Sequence, residues 1–264
     1  AADAAQGIPS SPALVAGTVH PNRRADWLRV GGWALVLMIG LAFSSMLRMR
    51  QLTERFFTAS GFFREDVRGS RDGLRLQTAV FATLLLACGA VAVTQLLLVL
   101  NDTPASGYLR HVVGGAIPFG AVTAWLLPLG LIGAGWIVLL VIGLSFTLLS
   151  RGRHSFTMGQ ALMIQAWPRW PLVLLLIAAL VVPSLPTDYL GGAALALLVV
   201  WALIAVGATV HAALTFSSIT NTTTPVALLV VLLHPLTWLL LAGVGIYFAM
   251  PEQIGLAMDL LLRG

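Results

Sequence analysis

Six long blocks of this chain, at about 30–47, 77–100, 113–149, 171–183, 190–214 and 225–248, are built almost wholly from Leu, Val, Ala, Ile, Gly and Trp, with no charged residue inside them. A hydrocarbon layer of about 30 Å takes about 20 apolar helical residues to cross. Without water to satisfy the backbone, a single segment can cross only as a helix. The blocks therefore predict an all-α, polytopic transmembrane bundle of about six spans, near 30–47, 77–100, 123–149, 168–183, 190–214 and 225–248. Apolar residues make up 58% of the 264 and charged residues 9%, against about half and about a quarter in soluble domains. No room is left for a separate soluble domain of ordinary size. Residues 1–26, with Gly7, Pro9, Pro12 and Pro21, read as a flexible tail, and 27–264 as one transmembrane domain.

The third block is too long for one crossing, since a helix over its full length would exceed about 50 Å at 1.5 Å per residue, and Pro118 and Pro128 interrupt it. The expectation is a short interfacial or re-entrant piece to about Gly120, then a span. Trp167 and Trp170 mark the interface where the fourth span begins, after a backward extension through the AWPRWP stretch.

All fifteen basic residues are Arg, and their distribution orients the chain. With six spans, the connections at 48–76, 150–170 and 215–224 share one side and hold seven, three and no Arg. The positive-inside rule makes that side cytoplasmic; both termini then face outward, and the chain reads as a multi-pass protein of a bacterial inner membrane. The net charge of +5 mainly reflects this topology. No Arg-aromatic patch on a soluble scaffold suggests a nucleic-acid partner.

The segment 48–76 interleaves Arg48, Arg50, Arg55, Arg64 and Arg68 with Phe56, Phe57, Phe62 and Phe63. It reads as an amphipathic helix on the membrane surface, with Phe dipping into the lipid and Arg at the headgroups. A solvated loop with a few anchoring Phe, or a docking site for another subunit, fits the same pattern. Arg151 and Arg153 extend this basic surface.

Ion-driven transporters place ionisable residues inside their spans; the uncharged blocks carry none, which argues against a self-contained proton pump. His211 and His234 are the only histidines within the blocks. Imidazole ligates haem iron or chlorophyll magnesium, but their depths differ by roughly 9 Å, poor for one bis-His haem. A structural hydrogen-bonding role is the simpler reading, with His234 at a kink before Pro235. No cofactor is expected. Cys88 lies inside the second block and reads as apolar packing. No catalytic or nucleotide-binding motif is present, so no enzymatic activity is expected. Small residues, such as Gly133 and Gly135, Ala208 and Ala212, and Gly243 and Gly245, allow close helix contact, within the chain or with another subunit.

From about Phe56 to Phe248 the pattern resembles the Yip1-type family of five-span membrane proteins. It is carried by WIVLLVIGLSFTLLSRGRHSFTMGQALMIQAWPRWPLVLLLIAAL: an apolar span, a basic turn (Arg151, Gly152, Arg153, Phe156), a short helix (Met158 to Ala166) and a Pro opening the next span. The first span and the Phe/Arg segment depart from that family and resemble an uncharacterised, Bacteroidota-type family of integral membrane proteins. The resemblance implies no catalytic residues and a scaffold or assembly role. The leading expectation is thus a non-enzymatic accessory or scaffold subunit, in contact with lipids and other membrane subunits. The alternatives are a transporter or channel for a neutral or lipidic substrate, motivated by the broken helices at Pro118, Pro128 and Pro235, and a cofactor-binding subunit of an electron-transfer or light-harvesting complex.

Overall fold

The computed structural model describes residues 23–69, 75–101, 121–150, 156–249 and 255. The expected tail to residue 22, Pro118 with the piece to Gly120, and Arg151 and Arg153 lie outside them. Every described element is helical: α1 (Arg23–Ser45), α2 (Leu47–Thr58), α3 (Ser60–Gly69), α4 (Arg75–Asn101), α5 (Ala121–Leu149), α6 (Met158–Ala166), α7 (Pro171–Val181), α8 (Thr187–Thr220), α9 (Thr224–Leu228) and α10 (Pro235–Ala249), with 3-10 turns at Trp167–Arg169, Val182–Ser184 and Leu229–Leu233.

Five stretches are long and apolar enough to cross a membrane: Asp26–Ser45, Leu76–Asn101, Leu126–Leu149, Met158–Ser184 and Tyr189–Thr220. The sixth expected span, 225–248, is not one continuous helix. It breaks at His234, whose backbone is extended, and only Pro235–Gly245 forms a shorter apolar helix. Pro235 explains the break, since it has no N–H to continue the ladder and disfavours helix at the residue before it. The fourth of these stretches stacks α6, a 3-10 turn and α7, because Pro168 and Pro171 interrupt the α ladder between them. The fifth runs six residues past the expected 214, to Thr220. Its last hydroxyls donate back into their own helix, Ser218 to the Thr215 carbonyl and Thr220 to the Phe216 carbonyl, and Asn221 ends it in the left-handed conformation at φ 54°.

α4 is the hub, packing on α1, α5, α6, α7 and α8. Two cores result. An aromatic one joins Phe63, Phe81, Phe146, Trp167 and Phe216; an aliphatic one joins Ile39, Cys88, Leu96, Leu176 and Ala194. Outward faces are apolar too, as at Leu37, Leu41, Leu129, Ile137 and Leu203, an arrangement that suits acyl chains better than water.

Within the segment expected to be one amphipathic helix, the described residues 47–69 form two helices, and part of their apolar face meets protein. Leu52, Phe63 and Val67 are buried in the aromatic core. Gln160 Nε2 donates to the Val67 carbonyl at 2.8 Å, and Arg68 Nη2 to the Ser218 and Ile219 carbonyls at 3.2 Å each. The three connections assigned to one side by the Arg count thus meet at one end of the bundle. Gln160 also closes the α6 capping box with Thr157, so Gln160→Ala removes a cap and a tie together. It should cost about 1–2 kcal/mol, read as a shift in the denaturant midpoint; an unchanged midpoint would show that α3 is held without it.

Candidate functional site

The AWPRWP stretch turns one side chain inward. Pro168 and Pro171 force the short 3-10 turn Trp167–Arg169 between α6 and α7, and Arg169 ends up only 4% exposed inside the bundle. Its Nη1 donates to the Gln165 carbonyl, and its Nη2 to Thr209 Oγ1 at 3.4 Å. Both acceptors are neutral. The ion pairs among the described residues, Arg50–Glu54 and Arg55–Asp66, lie elsewhere. An Arg stays charged in a protein, and burying a charge without a counter-charge costs several kcal/mol.

Arg169 faces a cavity of about 270 Å³ that it shares with His234. Leu86, Gly89 and Ala90 line it from the middle of α4, and Leu131, Ala134, Gly135 and Val138 from the middle of α5. A Cβ on Gly135 would meet Leu86 Cδ2 at 2.7 Å, and one on Gly89 would meet Trp201 Nε1 at 3.2 Å. At these two positions glycine permits the close approach of the walls. The rim at Ala134, Pro235 and Leu239 is exposed and apolar.

His234 caps the broken helix. Its Nδ1 accepts the Leu236 N–H at 3.2 Å, the N-cap arrangement, with Pro235 in the first helical position. Carbonyls freed at the break are taken up nearby: the Val231 carbonyl accepts from the His234 backbone N–H and the Thr237 hydroxyl, and the Leu232 carbonyl accepts from Trp238 Nε1.

His211 lies in a different place. It lines a second pocket of about 260 Å³ with Phe56, Phe63, Arg64 and Ser218, where α2 and α3 dock on α8, its ring 5.4 Å from that of Phe56. The two histidines thus line different pockets. Among the described residues, no group of three or more His, Cys, Asp or Glu could hold a metal ion.

The Arg/Phe surface divides. Phe57 and Phe62 are 53% and 61% exposed, as lipid anchors would be, whereas Phe63 is buried and Phe56 half-buried against it. Arg55 is engaged with Asp66 at 2.7 Å and Arg68 with the end of α8. Arg50 pairs with Glu54 at the surface, and Arg64 bonds the Ser60 carbonyl. Arg48 sits in the first turn of α2.

Sequence reasoning missed Arg169, which it counted among loop charges. The signal was present: an Arg between two Trp-Pro steps, flanked by apolar residues on both sides, at a position where the helix must tighten. No protein-family model, curated protein or solved structure matches the chain.

Proposed function

We propose that this chain is a polytopic protein of a bacterial inner membrane that binds a lipidic molecule within the bundle and moves it, the transporter-like alternative from the sequence. One observation carries this: an apolar cavity at mid-length of α4 and α5, beside a helix broken at His234–Pro235. Interrupted helices near the midplane are where transporters commonly build substrate sites. In this reading α9, its 3-10 turn and α10 together complete the sixth crossing. The end carrying α2, α3 and the Arg residues lies in the cytoplasm, both termini lie outside it, and the rim at Ala134, Pro235 and Leu239 opens toward acyl chains.

Ala205 lines the cavity, so Ala205→Phe should fill much of it. Extraction of lipid from protein purified in mild detergent should find a species retained by the wild type and depleted in the variant. The same lipid complement in both would sink the proposal.

The scaffold reading keeps one observation of its own. α1 buries only 17% of its apolar window within the chain, leaving a face that another subunit could cover, though acyl chains cover such a face equally well. A partner cross-linked in native membranes through cysteines placed at Leu37 or Leu41 would favour it.

A further inference from the structure

Every polar side chain lining the cavity is a donor. Two neutral oxygens, the Gln165 carbonyl and Thr209 Oγ1, occupy one hydrogen each of the Arg169 guanidinium. Three of its five N–H groups are left without a partner among the described residues. Because His234 Nδ1 accepts the Leu236 N–H, the neutral ring carries its proton on Nε2. That N–H and the indole N–H of Trp201 likewise have no acceptor among the described residues. The Thr209 hydroxyl is already committed to the Ala205 carbonyl at 3.0 Å. The walls around these donors are apolar, and no carboxylate lines them.

Resting on the lipid-binding reading above, we infer that the cavity takes a monoanionic amphiphile, a long-chain carboxylate, with its head against Arg169, His234 and Trp201 and its tail leaving past Ala134, Pro235 and Leu239. The charge follows from the site. One guanidinium is neutralised by one negative charge, and a dianionic head would leave a surplus charge in a dry, low-dielectric space. The head's shape follows from the guanidinium fork, which takes a planar two-oxygen acceptor through parallel N–H groups. The cavity, about 270 Å³ and open at its rim, holds a carboxyl and the start of one chain.

The test uses full-length protein in mild detergent, stripped of co-purified lipid, and compares tritiated oleate with tritiated oleyl alcohol, which has the same chain without the charge. Oleate should bind the wild type about tenfold more tightly or better, as expected for a charge-assisted hydrogen bond. Arg169→Gln should bring the two within about twofold by weakening oleate alone, and Arg169→Lys should keep a preference for the anion. The wild-type pair decides the matter even where a variant fails to fold. Equal wild-type binding of oleate and the alcohol would overturn the acid-head inference while leaving the lipid-binding proposal standing. Binding of neither would sink both. Displacement of oleate by dioleoyl phosphatidylglycerol at lower concentration than by unlabelled oleate would overturn the carboxylate assignment.

Discussion

Replacing Trp167 with alanine should destabilise the bundle by about 3–5 kcal/mol, the range for deleting a fully packed aromatic. Trp167 is 1% exposed. Its ring lies 5.1 Å from Phe81 and 6.1 Å from Phe63, and its Nε1 donates to Thr53 Oγ1 at 3.3 Å. One side chain thus joins α2, α3 and α4 to the turn between α6 and α7. In lipid the surroundings of an unfolded helix are themselves apolar, so the loss arises from the void and its missing dispersion contacts more than from transfer to water. Trp167→Phe should keep most of the packing and lose about 1 kcal/mol with the Thr53 bond. Reversible unfolding in mixed micelles of increasing dodecyl sulfate content measures both. A loss below about 1 kcal/mol for the alanine variant, or equal losses for the two, would show that the aromatic core does not hold α2 and α3.

Arg169→Met should act in the opposite direction on the empty protein. A buried charge facing only neutral acceptors is unfavourable, and replacing buried ionic groups by apolar ones of similar volume is often worth about 1–4 kcal/mol of stability. Lipid-stripped Arg169→Met should therefore unfold at higher denaturant than lipid-stripped wild type. Adding oleate at about 100 times its dissociation constant should stabilise the wild type by about 2.7 kcal/mol and the variant by much less. The competing outcome is specific. If Arg169 serves only to tie the Gln165 carbonyl and Thr209, the variant is the less stable of the two when stripped, and oleate changes neither.

The residues that the sequence placed well are those whose neighbours do not matter to their conformation. In α4 and α5 the long runs are apolar and uncharged between their ends, so any packing arrangement keeps them helical, and their bounds, Arg75–Asn101 and Ala121–Leu149, fall within two residues of the expected spans. The end of α8 was set too early because Ser217, Ser218 and Thr220 look like a turn until their hydroxyls are seen bonded to carbonyls within or just beyond the helix. Amphipathic periodicity located α2 and α3, but a period cannot say whether an apolar face meets acyl chains or Trp167. Phe57 and Phe63 carry the same sequence signature and have opposite surroundings. Arg169 was hidden for a related reason. Charge next to Pro reads as loop, and only the turn's geometry shows the side chain aimed at the cavity rather than at the interface.

The ties that hold α3 also set an order of assembly. Its first partner, Gln160, lies 93 residues downstream of Val67, and its second, the Ser218 carbonyl, lies 150 residues downstream of Arg68. At roughly 5–20 residues synthesised per second, roughly 5–19 s pass before α6 exists to receive the Phe63 and Val67 face, and roughly 8–30 s before α8 does. During that interval the Phe63 and Val67 face of α3 has no partner to cover it; Phe57 still awaits the Trp170 ring that it meets edge-on, and Phe62 lies on the side that stays exposed. On the membrane reading proposed above, the exposed Phe62 ring is the one that can hold α2 and α3 against lipid while the rest of the chain is still being made.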